Sequence, residues 1–90
     1  MIYLDNSAST FVKPKNVQRA VLNGLQLFTA NPGRSGHRAA MKTALEVANV
    51  RETLANHTGT SAENVFFTSG CTDALNLAIL GTHRKGGNVI

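Results

Sequence analysis

Apolar positions along this chain follow two different periods. Val17, Ala20, Val21, Gly24, Leu25 and Phe28 recur at spacings of three and four, which puts them on one stripe of an α-helix, and Pro14 suits its first turn. A second helix is predicted from about His37 to His57. There Ala40, Met41, Ala44, Leu45, Val47, Ala48, Leu54 and Ala55 form a broad apolar face, while Lys42, Glu46, Asn49 and Glu52 lie elsewhere. Ser35 is a candidate cap for its start, Gly59 is placed to end it in the left-handed conformation, and His57 in its last turn suits the negative helix end. Ile2-Tyr3-Leu4, Val65-Phe66-Phe67 and Asn88-Val89-Ile90 are instead short apolar runs of strand-forming residues.

The stretch from Val65 to Leu80 combines both patterns: a strand, a turn at Ser69-Gly70, and a third helix opened by Thr72 or Asp73 and closed by Gly81. The first N–H groups of a helix have no partner inside it and carry partial positive charge. An anion aimed at Gly70, Cys71 and Thr72 would satisfy them, with the Ser69 and Thr72 hydroxyls as further donors. Ordinary N-capping by Ser69, Thr72 or Asp73 explains the same residues without any ligand.

Two loops add polar groups. Asp5 to Thr10 is a polar cluster suited to bonding its own backbone, and Asn31-Pro32-Gly33-Arg34-Ser35-Gly36-His37 is a dense set of ligand-capable side chains that local rules explain by solvation and capping.

Composition narrows the class. Forty-two per cent hydrophobic and 16% charged residues fit a single small globular unit within 90 residues, not a disordered or fibrous chain. The formal charge of +4 comes from scattered bases, which suits a small anionic ligand as well as nucleic acid or a plain solvated surface. Phe66-Phe67 is not interleaved with those bases, so a single-strand binding platform has little support. One cysteine, Cys71, precludes an internal disulfide and points to a reducing compartment. Neither a secretory signal nor a run near the ~20 apolar residues of a membrane span is seen, so a cytoplasmic protein without membrane or nucleic-acid partners is expected. The third helix is apolar nearly all round and the strand at Asn88-Val89-Ile90 has no partner after it; both suggest the front of a longer protein.

Tyr3-Leu4-Asp5-Asn6-Ser7-Ala8-Ser9-Thr10 with Pro14, then Asn31 to His37, then Phe67-Thr68-Ser69-Gly70-Cys71-Thr72-Asp73-Ala74-Leu75-Asn76-Leu77-Ala78, taken in order and at these spacings, resemble the start of a cysteine desulfurase of the class V aminotransferase group. The resemblance covers nearly the whole chain. It implies an α/β architecture, in which residues 1–90 are the N-terminal fragment of a type I pyridoxal-phosphate-dependent transferase fold, made of helices plus the first strands of the large-domain sheet.

It further implies that Gly70, Cys71 and Thr72 bind the phosphate of pyridoxal 5′-phosphate, that Asn6 and Ala8 line the substrate side, and that Arg34 and His37 reach a partner subunit's site in a homodimer. The implied reaction takes sulfur from L-cysteine, leaving alanine and an enzyme persulfide for a sulfur-acceptor protein, as in iron–sulfur cluster assembly. A selenocysteine lyase or another class V aminotransferase is the alternative within the group. A small basic anion- or nucleic-acid-binding module is the alternative outside it. Two positions depart from the family pattern: Cys71 stands where alanine is common, and Asp73 where glutamate is. The family's Schiff-base lysine and sulfur-accepting cysteine fall beyond Ile90, so Cys71 is not that cysteine, no catalytic residue or metal ligand is expected here, and residues 1–90 alone are expected to be inactive.

Overall fold

In the computed structural model, residues 1–33, 36–83 and 85–87 are described. The chain forms α1 (Lys15–Leu27), α2 (Arg38–Thr58), a single 3-10 turn (Ala62–Asn64) and α3 (Cys71–Thr82). Among the described residues there is no β-strand, which overturns the expected α/β architecture with the first strands of a sheet. Residues 2–4 and 65–67 are irregular. Val65, at φ −98° and ψ 117°, keeps an extended backbone, but a strand exists only when a second one takes up its N–H and C=O groups. The expected strand at Asn88-Val89-Ile90 lies outside the described residues.

The helices follow the apolar periods closely, and their ends show why. Pro14 precedes α1 instead of lying in its first turn, and its carbonyl accepts from the N–H groups of Val17 and Gln18 at 3.0 and 3.1 Å. α2 starts on His37, whose Nδ1 accepts the N–H of Ala40 at 3.3 Å. The cap is thus His37; Ser35, the expected one, lies outside the described residues. Gly59 ends α2 at φ +74°, the left-handed region that side chains with a Cβ avoid. Its N–H and that of Thr60 both reach the Ala55 carbonyl, and His57 occupies the last turn as expected. α3 begins at Cys71, earlier than the sequence pattern suggests, and runs through Gly81 to Thr82.

Among the described residues, what is buried belongs to α2: Ala40, Ala55 and Thr43. α1 and α3 bury nothing. The stripe on α1 is well formed yet uncovered, with Leu25 70% exposed, and Leu80 on α3 is 75% exposed. The accessible surface is 8283 Å², whereas a folded monomer of 9.6 kDa shows roughly 5,100 Å². The radius of gyration is 17.5 Å against about 12 Å for a compact chain of this length. α2 is the spine of this open arrangement: the 3-10 turn packs on it, the Lys42 ammonium sits 5.3 Å from the Phe28 ring at the end of α1, and the Arg51 guanidinium sits 5.3 Å from the Phe67 ring ahead of α3. No helix among the described residues is long and apolar enough to cross a membrane.

Candidate functional site

The start of α3 is built differently from that of α2. Its N-cap position is Gly70, which has no side chain to offer, and no side chain caps the helix. Gly70 is extended at φ 166° and ψ −175°, and a Cβ placed on it would meet nothing within 4 Å, so this side of the turn is open. The first intrahelical bond runs from the Ala74 N–H to the Gly70 carbonyl at 3.0 Å. The N–H groups of Cys71, Thr72 and Asp73 therefore precede the helical ladder and point out of its positive end.

The turn is held from behind. Thr68 donates its hydroxyl to the Gly70 carbonyl at 3.0 Å. Asp73 folds its carboxylate back so that one oxygen accepts both the N–H and the hydroxyl of Ser69, each at 3.3 Å. The Thr68 bond to the Gly70 carbonyl and the Ser69–Asp73 pair thus brace the loop, leaving the helix start unfilled. Sequence reasoning missed this brace, because it took Asp73 as an opener of the helix; the four-residue offset from Ser69 was the available signal.

Thr72 stands apart from the other helical threonines. Thr43, Thr53, Thr58 and Thr82 each donate to the carbonyl four residues earlier, at 3.2, 2.8, 2.8 and 2.7 Å. Thr72 has no helical turn before it to supply that carbonyl, and among the described residues its hydroxyl makes no hydrogen bond. Three backbone donors and one hydroxyl at one helix end form a donor set suited to a tetrahedral oxyanion such as a phosphate monoester. That set fits the phosphate of pyridoxal 5′-phosphate, and the absent Cβ at Gly70 leaves room for it. Cys71 is exposed beside these donors as a free thiol.

The remaining expected site residues do not converge on the turn. Asn6 donates to the Tyr3 carbonyl at 3.2 Å and accepts the Phe11 N–H at 3.1 Å, closing the N-terminal loop on which Tyr3 and Phe11 stack with centroids 4.9 Å apart. Ala8 sits exposed in that loop, where Lys13 reaches back to the Ser9 hydroxyl at 3.1 Å and to the Thr10 carbonyl. His37 serves α2 as its cap, and Arg34 lies outside the described residues. Among the described residues no hydrogen bond joins Asn6, Ala8 or His37 to the α3 start.

Residues 2–90 match the family described as aminotransferase class-V. The chain belongs to that family. As a class-V aminotransferase it is also similar to curated cysteine desulfurases. It is 40% identical over 77 residues to a probable cysteine desulfurase of Borreliella burgdorferi, covering 84% of this chain and 18% of that protein. With the mitochondrial cysteine desulfurase of Drosophila melanogaster the identity is 35% over 86 residues, 96% of this chain and 18% of the other. With the cysteine desulfurase IscS of Buchnera aphidicola it is 35% over 94 residues, 99% and 23%. The chain spans about a fifth of the length of the curated relatives it matches. No solved structure matches it. The family expected from the three motifs is the family found.

Proposed function

We propose that residues 1–90 are the N-terminal part of a pyridoxal-phosphate-dependent cysteine desulfurase and supply its grip on the cofactor phosphate. The observation that carries this is the start of α3, where the N–H groups of Cys71, Thr72 and Asp73 and the Thr72 hydroxyl are left over once the Thr68, Ser69 and Asp73 side chains have bonded within the turn. Gly70, Cys71 and Thr72 are the residues that would hold the phosphate, the first by leaving space and the others by donating. When bound, the cofactor supplies the electron sink that lets bonds at a substrate amino acid's carbons be broken. The work of this chain's residues is to fix where that sink stands: a dianionic phosphate at a helix start is held by several charge-assisted bonds at once and resists rotation.

The substrate in this proposal is L-cysteine, with alanine and a persulfide as products, a sulfur-acceptor protein downstream and a homodimer as the working unit. Its support is that the relatives named above are cysteine desulfurases. Asn6, Ala8, Arg34 and His37 are proposed to serve the substrate side or the partner subunit's site.

The decisive variant is Thr72→Val in the protein expressed from its whole gene. It removes one hydroxyl donor at constant shape, so affinity for pyridoxal 5′-phosphate is expected to fall about tenfold or more with circular dichroism unchanged. Unaltered affinity in that variant would remove the phosphate assignment.

A further inference from the structure

Within residues 1–90, little holds α3 in place. Among the described residues the substantial packing between elements is that of α2 against the 62–64 turn, and α3 buries no residue. The direction in which its first N–H groups point is then set by the preceding segment, residues 65–70, and by whatever fixes that segment. Val65 is tied by its N–H to the Ala62 carbonyl of the 62–64 turn, and beyond it a side chain from the spine reaches the segment. Arg51 of α2 lies with its guanidinium carbon 5.3 Å from the centroid of the Phe67 ring, two residues ahead of Ser69.

Hydrogen bonding does not explain where Arg51 sits. Its Nε is enclosed and has no acceptor among the described residues, an arrangement that opposes folding unless another contact offsets it. Glu63 lines the same 470 Å³ cavity, yet its carboxylate accepts from the Ser61 hydroxyl at 3.4 Å. The contact left to the guanidinium is the aromatic face of Phe67, where a planar cation is attracted by the ring and can lie flat on it.

We propose that Arg51 is a positioning residue for the phosphate turn: held over the Phe67 ring, it sets the path of residues 65–70 so that the donors at the α3 start meet the anion. This rests on the phosphate assignment above. Lys42 over Phe28 is the same kind of contact at the other end of α2, remote from the turn, and so provides an internal control.

The test uses the full-length protein and two probes that differ only in the phosphate, pyridoxal 5′-phosphate and pyridoxal. Arg51→Met and Phe67→Leu are each expected to weaken binding of the phosphorylated probe about fivefold and to leave pyridoxal unaffected. The double variant should be no worse than either single one, since both remove one contact. Arg51→Lys, which restores a cation but not the planar guanidinium, should regain only part of the loss, and Lys42→Met should bind both probes as the parent does. If Thr72→Val weakens the phosphorylated probe and neither Arg51→Met nor Phe67→Leu does, the positioning role falls while the phosphate site stands. If Thr72→Val has no effect, both fall. Equal losses for the two probes would make Arg51 a general structural residue and overturn the proposal. Should Arg51→Met fail to fold, Phe67→Leu in folded protein decides by the same comparison.

Discussion

Two helix starts in this chain solve the same problem in opposite ways. α2 closes its own N-terminus: the His37 ring accepts the Ala40 N–H, and the helix continues to a left-handed glycine that satisfies the far end. α3 has a glycine where the cap would be, and its flanking polar side chains bond within the turn, Thr68 to the Gly70 carbonyl and Ser69 to Asp73. The comparison teaches that polar residues before a helix can have different tasks. At α2 they finish the helix; at α3 they stiffen a loop so that the helix stays unfinished. A helix end left open and braced costs stability, and a ligand that supplies the missing acceptors recovers it.

The contrast can be broken first by giving α3 the cap it lacks. Gly70→Asp places a carboxylate where no atom stands within 4 Å of a new Cβ, on an extended backbone any residue can adopt. It should bond the free N–H groups and repel an anion, so affinity for pyridoxal 5′-phosphate is expected to drop a hundredfold or more, by order of magnitude, with helix content held or raised. Wild-type affinity in a folded Gly70→Asp protein would mean that this end is not where the phosphate binds.

The next change opens α2 instead. His37→Ala removes a cap, which costs about 1 kcal/mol, and thermal melting of the full-length protein should show it, while His37→Asn should recover it. A His37→Ala variant that loses substrate turnover but no stability would show instead that the ring acts at the active site. The smallest effect is expected from Asp73→Asn, which keeps the shape of the brace and removes a negative charge beside the phosphate. Binding should tighten by less than about threefold, and weaker binding would show that the charged brace on Ser69 matters more than the repulsion.

How much of this was legible depends on whether the deciding interaction is local. The two long helices followed from apolar spacing alone, and Gly59 was readable because a helix end needs a residue free to take positive φ. The open start of α3 after Gly70 was legible for the same reason, since a helix start is defined within one turn. The strands were not, because Ile2 to Leu4 and Val65 to Phe67 carry strand propensity but no partner to pair with. Gly81 is a helix breaker by propensity and yet lies inside α3, whose next turn still closes through the His83 N–H on the Ile79 carbonyl. Arg51 was one base among nine; its place over Phe67 spans sixteen residues of sequence, and no periodicity records such a contact.

The breadth of the exposed surface has a thermodynamic consequence. The heat capacity of unfolding and the sensitivity to denaturant both scale with the surface newly shown to water. A chain that already displays 8283 Å², out of roughly 13,900 Å² for its unfolded form, has about 5,600 Å² left to reveal, against about 8,800 Å² for a compact chain of its mass. Heated as residues 1–90 alone, it would lose its helices along a gradual slope with a small heat-capacity step, as peptides do, and not in the sharp transition of a closed core.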